Sequence, residues 1–237
     1  MADVQITGER TVPDLPAENY WFRRHEAAYR RLAPRVAGRR VLEAGCGEGY
    51  GAALLAGPAA AVTALDYDAY TVDHVRSAYP DLPVVRGNLV ALPFAEMAYD
   101  IVVSLQTVEH LWDQPLFVRE CLRVLAPGGQ VVLTTPNRLT FPPGNVFHTH
   151  ELDAVGLHDL LADAATLTEL RGIHHGPRLR AWEERHGDLV EAQVAAEAEA
   201  WSDDLTQLVA SVTVNDFEVR DDDLAGCLDL WAVAVRA

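Results

Sequence analysis

Residues 41–51, VLEAGCGEGYG, place the carboxylate of Glu43 near the tip of an apolar run and follow it with glycines at 45, 47, 49 and 51. Glycines at alternate positions let the backbone take positive φ and let a ligand approach the main chain closely. An acid at the strand tip accepts hydrogen bonds from a cationic amine or an ordered water. The ligand that suits this turn carries a positive amino group or a sulfonium, because an acid at that position repels phosphate. Asp66, about 20 residues further on, stands where a carboxylate takes both hydroxyls of a ribose.

A second group of residues is suited to acid–base work. His110 follows a β-branched run at 100–105, and His148 and His150 follow another at 130–135. Histidine changes charge closest to neutral pH, so each of the three can take a proton from a hydroxyl if a crevice brings it close. A loop histidine that only holds backbone in place fits the same pattern. His174 and His175 join the candidates if their strand edge faces the crevice. Glu109 and Asp113 are read as groups that orient a base, cap a loop or hold a divalent cation, and the spacing commits to no metal site. Cys46 is read as a small packing residue.

These side chains need a scaffold. The 237 residues, 49% of them hydrophobic, are enough for one substantial core, and the expectation is a single domain over 1–237. An apolar strand at 40–44, the glycine turn and a helical stretch from 52 form the opening of a Rossmann-like unit. Strands at 61–65, 83–86, 100–105 and 130–135 alternate with helices at 68–79 and 116–125. Alternation of this kind predicts an α/β fold with a mostly parallel seven-stranded sheet and helices on both faces. A helix at 151–164, a strand at 166–172 and a last strand at 228–235 complete it. Residues 1–38 read as an N-terminal helical cap, with a helix over 16–36. Residues 177–212 read as a helical insertion whose apolar positions Val190, Val194, Trp201, Leu205, Leu208 and Val212 recur at helical steps. Its expected role is acceptor recognition or a homodimer interface.

The formal charge of −16, from 35 acidic and 19 basic residues, argues against a nucleic-acid partner. Every basic residue is arginine, and the run Arg23, Arg24, Arg30, Arg31, Arg35, Arg39 and Arg40 reads as a solvated helix face. Three scattered cysteines fit reduced thiols. No window reaches the roughly 20 apolar residues of a membrane span, and MADVQITGER has no signal-peptide pattern, so the expected location is the cytoplasm.

Gly47-x-Gly49-x-x-Ala52 formally satisfies a dinucleotide fingerprint, but that frame starts late relative to the strand. The acid-led GxGxG turn instead resembles class I S-adenosylmethionine-dependent methyltransferases. Gly87-Asn88 with Leu92-Pro93-Phe94 is similar to their adenine loop, with Asn88 in place of the usual Asp. Tyr99 to Ser104, Val108 to Asp113 and Leu125 to Gly129 are similar to the fourth strand, its loop and the turn into the fifth. Together these motifs cover about half the chain. The resemblance implies S-adenosylmethionine as cofactor, held by Glu43, Gly45, Cys46, Gly47, Asp66, Tyr67, Asn88, Leu89 and Gln106. Tyr20, Trp21 and Arg24 are implied to close over its methionine end, with Arg24 pairing the carboxylate.

A narrower resemblance extends over nearly the whole chain. Thr7-Gly8-Glu9-Arg10, Glu18 to His25, Thr135-Pro136-Asn137-Arg138, Phe147 to Leu152 and His175-Gly176-Pro177-Arg178 look like actinobacterial, and especially mycobacterial, methyltransferases of methylglucose or methylmannose polysaccharide synthesis. This implies O-methylation of a sugar hydroxyl in an oligosaccharide or polysaccharide precursor, with one of His110, His148 and His150 as base. An N- or O-methyltransferase of another small metabolite and a non-catalytic cofactor-binding protein remain the alternatives.

Overall fold

The computed structural model describes residue 11 and residues 13–236, so the Thr7-Gly8-Glu9-Arg10 motif lies outside the described residues. After a 3-10 turn at Pro16–Glu18 comes α1 (Asn19–Leu32), followed by β1 (Arg40–Ala44), α2 (Tyr50–Ala56), β2 (Ala61–Asp66), α3 (Ala69–Ala78) and β3 (Val84–Arg86). Then come β4 (Tyr99–Leu105), α4 (Gln114–Val124), β5 (Leu125–Pro136), α5 (Ala154–Ala162) and β6 (Thr166–His175). The last third holds α6 (Pro177–His186), α7 (Leu189–Val194), α8 (Asp203–Ser211), β7 (Phe217–Arg220) and β8 (Asp229–Val235).

Local chemistry sets several of these boundaries. Asp68, Asp113, Asp153 and Ser202 each accept a backbone N–H at the start of α3, α4, α5 and α8, satisfying donors that a helix end leaves orphaned. Along β4, Ile101, Val103 and Leu105 join the core under α1, α2 and α6 to α8. Val102 points the other way, into the core that Phe117, Cys121, Leu157 and Leu161 of α4 and α5 share. Helices on both faces of an alternating strand account for this two-sided burial.

The strand order is β3-β2-β1-β4-β5-β8-β6-β7. Two expectations are corrected here: the sheet has eight strands rather than seven, and it is mixed rather than mostly parallel. β1 to β5 pair in parallel, whereas β8 runs antiparallel to both β5 and β6, and β7 runs antiparallel to β6. The extra strand, β7, is four residues long, sits at the sheet edge and buries only Phe217, so it lacks an alternation long enough to recognise.

The 177–212 segment forms three short helices. Gly187, at φ +94°, stops α6, and residues 195–202 separate α7 from α8. The apolar stripe splits accordingly, with Val190, Leu205 and Val212 entering the core while Val194 stays 55% exposed. Within the arginine run, Arg30, Arg31, Arg39 and Arg40 are exposed, as a solvated face requires, while Arg24 is buried; Arg23 and Arg30 pair with Glu26, Arg35 with Glu169 and Arg40 with Asp100. Among the described residues, no helix is long and apolar enough to cross a membrane.

Candidate active site

The strand order reverses between β1 and β4, and in open α/β sheets ligands gather at such a switch point, outside the carboxyl ends of the strands. The chain leaves β1 at Gly45 and β4 at Gln106, and the two exits nearly touch. A Cβ on Gly45 would lie 2.5 Å from the Thr107 side chain, and Gly45 also holds φ +86°, so both crowding and conformation demand glycine. Gly47 is likewise left-handed, at φ +49°, and its N–H donates to Asp66 Oδ2 at 3.0 Å. The other oxygen of Asp66 accepts from the N–H of Asp68, also at 3.0 Å. The carboxylate at the end of β2 thus locks the glycine turn and lines the outer cleft.

Three connected cavities open there. An outer cleft of about 470 Å³ is lined by Gly45, Gly47, Asp66, Tyr67, Asn88, Leu89, Gln106, Thr107, His110 and Trp112, among others. A narrow inner pocket of about 70 Å³ lies between the glycine turn and α1, against Arg24, His25, Tyr29, Cys46, Gln106 and Asp229. A second cleft, about 460 Å³, is bounded by Trp21, Glu109, His110, Phe141, His148 and Val194. Among the described residues, only Gln106 borders all three. Gln106 is also a non-glycine residue at φ +52°, and its amide donates to Thr134 Oγ1 at 3.2 Å. Left-handed backbone outside glycine is uncommon and gathers at functional positions.

Most of the residues assigned to the cofactor from sequence are therefore brought together: Gly45, Gly47, Asp66, Tyr67, Asn88, Leu89 and Gln106 on the outer cleft, and Arg24 and Cys46 on the inner pocket. Asn88 also folds its own loop, with Oδ1 accepting from the N–H of Val90 at 3.0 Å. Glu43 and Tyr20 are placed differently. Glu43 is fully buried beneath Tyr29, whose hydroxyl donates to Oε1 at 2.5 Å, so Tyr29 rather than Glu43 faces the inner pocket. Tyr20 is wholly buried in α1, with its hydroxyl 2.7 Å from His175 Nε2. Both support the wall from behind.

Burial without a cationic partner pushes the Glu43 carboxyl up to about 8. The native state therefore binds a proton that the unfolded chain releases near its ordinary value of 4.5. Where the native state binds more protons, stability falls with rising pH, here across the window from about 4.5 to 8. Glu43→Gln is expected to remove that part of the slope, leaving the variant more stable than the parent at pH 8. Urea unfolding from pH 5 to 8 checks this, and parallel slopes would disprove it.

Arg24 is 2% exposed and held by a fork to Asp229, with Nε donating to Oδ2 at 2.6 Å and Nη2 to Oδ1 at 2.5 Å. Its Nη1 is buried and has no hydrogen-bond partner among the described residues, and the side chain lines the inner pocket. A buried guanidinium N–H without a partner is costly unless a ligand carboxylate completes it. Asp229→Ala would leave the whole guanidinium uncompensated and is expected to destabilise the protein by about 3–5 kcal/mol, read as a shift in the urea midpoint.

The three histidines expected near the chemistry separate. His110 donates from Nδ1 to the carbonyl of Phe147 at 3.0 Å and borders both clefts. His148 donates from Nδ1 to Glu151 Oε1 at 2.6 Å, accepts at Nε2 from Asn145 at 3.1 Å, and lies with its ring centroid 5.0 Å from that of His110. His150 is exposed, lines none of these cavities, and contributes backbone bonds: its N–H to Glu109 O and its carbonyl to Gln114. The structure thus places it outside the clefts, with its main chain anchoring the loop. His174 and His175 are buried away from the clefts. Asp113 caps α4 through the N–H of Leu116. Glu109, 1% exposed, accepts from Thr135 Oγ1 at 2.9 Å, and burial pushes its carboxyl up to about 8.

Sequence reasoning missed Asp229, His25 and Trp112. Asp229 appears in the sequence only as an unremarked member of the last strand, 228–235, and its partner Arg24 is 205 residues away. His25 lies between Thr11 and Tyr50, 3.3 Å from each hydroxyl, and burial pushes it down to about 4, so it stays neutral. Trp112, 89% exposed beside the outer cleft, was visible only as part of a longer motif.

Comparison with known proteins agrees with this geometry. Residues 42–133 match the model of a methyltransferase domain family. A protein of Mycobacterium tuberculosis named as a probable S-adenosylmethionine-dependent methyltransferase is 51% identical over 248 residues, covering 99% of this chain and 90% of that protein. A Mycolicibacterium smegmatis protein of the same description is also 51% identical, over 98% of this chain and 95% of its own. Among solved structures, an S-adenosylmethionine-dependent methyltransferase from Mesorhizobium loti superposes with TM-score 0.57 at 19% identity, over 90% of this chain and 98% of that one, which speaks to the fold.

Proposed function

From the premise that this chain belongs to the S-adenosylmethionine-dependent methyltransferases, we propose that it transfers the methyl group to a sugar hydroxyl of an oligosaccharide or polysaccharide precursor. When bound, S-adenosylmethionine supplies an electrophilic methyl group on a sulfonium. The chain's own residues do the remaining work. Asp66 accepts the ribose hydroxyls, Tyr67, Asn88, Leu89 and Trp112 flank the nucleoside, and Arg24 Nη1 meets the methionine carboxylate. Gln106, common to all three cavities, marks where donor and acceptor meet.

The observation that carries the acceptor reading is the composition of the second cleft. Its lining combines the aromatic residues Trp21 and Phe141 with the polar residues Glu18, Asn145, His110, His148 and Glu109, and a lining that mixes aromatic and hydrogen-bonding groups suits a sugar ring. A hydroxyl is a weak nucleophile until its proton leaves, and the Glu109, His110 and His148 group is the one placed to handle that proton. Enclosure between α1, the 136–148 loop and Val194 orients the acceptor and limits water, the main contributions available to an in-line displacement. Val194 also ties the helical insertion to acceptor recognition.

The test incubates the protein with radiolabelled S-adenosylmethionine and a panel of methylglucose and methylmannose oligosaccharides, their unmethylated counterparts and unrelated small metabolites. Label moving into an oligosaccharide is the expected result. Transfer confined to amines or non-sugar metabolites would overturn the sugar reading while leaving the family assignment in place.

A further inference from the structure

We propose that Glu109, His110 and His148 form a binding site for one divalent first-row transition-metal ion on the wall of the acceptor cleft. Each of the three offers one donor atom, and these atoms all lie within 4.8 Å of one another, although they come from the turn after β4 and from the loop 39 residues beyond it. His110 Nε2 is 4.0 Å from Glu109 Oε1, a span that one ion bridges.

The surroundings of the three residues are those of ligands held in advance. A carbonyl oxygen only accepts, so the bond to Phe147 O fixes the proton of His110 on Nδ1 and leaves the lone pair on Nε2. His148 reaches the same tautomer by donating from Nδ1 to Glu151 and accepting from Asn145 at Nε2, a bond that coordination replaces. One imidazole backed by a carboxylate and another backed by a main-chain carbonyl are the outer partners that metal-ligating histidines need. Glu109 is oriented in turn by Thr135 Oγ1 at 2.9 Å. Glu109 is 1% exposed and makes no ion pair with an arginine among the described residues. A buried carboxylate lacking a cation is costly, and an ion between it and the imidazoles supplies the charge.

Two imidazoles and one carboxylate favour manganese, iron, cobalt or zinc over calcium or magnesium, which prefer oxygen donors. Three protein ligands leave coordination positions open toward the cleft. Resting here on the O-methyl-transfer reading, the role of the ion is to bind the acceptor hydroxyl and acidify it. The proton then leaves to solvent, and the oxygen lone pair forms the C–O bond as the C–S bond breaks.

Titration of the full-length protein with Co²⁺, followed by calorimetry and visible d–d absorption and then by Zn²⁺ competition, tests the site without any acceptor. One equivalent is expected to bind with an imidazole-type spectrum. His110→Ala and His148→Ala should abolish the signal, while Glu151→Gln, which disturbs only an outer partner, should weaken affinity about 10–100-fold. His158→Ala, on the exposed face of α5, should change nothing. Circular dichroism and a thermal melt confirm that each variant is folded. Absence of Co²⁺ binding by the parent protein, or binding that survives both cluster variants, would overturn the site. Methyl transfer retained without the ion would leave the proposed function standing and remove only the metal.

Discussion

Gly47→Val is expected to abolish binding of both S-adenosylmethionine and S-adenosylhomocysteine, because Gly47 forms a wall of the outer cleft and of the inner pocket at once. Two physical effects combine. Valine at φ +49° carries a backbone cost of about 1–3 kcal/mol. Its branched side chain also adds bulk at a residue that lines both cavities. The N–H that Gly47 donates to Asp66 is disturbed as well, so the ribose carboxylate loses its fixed position. Asp66→Ala is the milder companion, since it removes hydrogen bonds worth roughly 1 kcal/mol or more each without filling the cleft. Calorimetry with both ligands, alongside a thermal melt to show that the variants fold, measures the difference. Retained binding in Gly47→Val would mean that the cofactor does not lie along the glycine turn.

His148→Ala is expected to lower kcat by about 10²–10⁴-fold with S-adenosylmethionine affinity nearly unchanged, because His148 lines the second cleft, proposed for the acceptor, and not the outer cleft, proposed for the nucleoside. His110→Ala should lose a similar factor in kcat and also some cofactor affinity, since its ring borders both. That split between the two variants is itself informative. A residue that only holds the loop would reduce both parameters together through misfolding, whereas a group acting on the hydroxyl proton spares ligand binding. The comparison needs single-turnover measurements with saturating cofactor and the acceptor found in the labelling screen. Near-normal kcat in both variants would place proton removal elsewhere, with Glu109 the next group to replace.

The residues that line the outer cleft were legible in the sequence because they end a strand of the parallel region or lie in the turn just after one. Gly45 and Gly47 follow β1, Asp66 ends β2, Asn88 follows β3 and Gln106 follows β4. When parallel strands share a direction, their carboxyl ends share an edge, so residues far apart in the chain become neighbours by rule. Glycine spacing and an acid at a strand end are local signals that survive without coordinates. The same holds for Asp68, which the sequence places at the start of a helix and which caps α3, whereas Asp113 and Asp153 emerged as the caps of α4 and α5 only in the fold.

The arrangement of the second cleft depends on tertiary structure. Nothing local separates His148 from His150, two residues apart. The fold turns one ring toward His110 and uses the other residue as a backbone anchor. Glu43 has the residue type of a cofactor ligand, yet its place inside the sheet puts it under Tyr29, whose own position depends on how α1 packs on α2. Arg24 belongs to an exposed-looking arginine run, and only the arrival of Asp229 on the last strand makes it a buried fork beside the inner pocket. The eighth strand and the antiparallel edge escaped for the same reason, because strand direction follows from where a connection returns rather than from the composition of the strand. The sequence by itself therefore determined the parallel half of the sheet and the glycine turn at its switch point, through signals read within one strand and its loop. Which charges are buried, which histidine faces the cleft and how the sheet ends were decided by contacts between segments up to 205 residues apart, which no local pattern encodes.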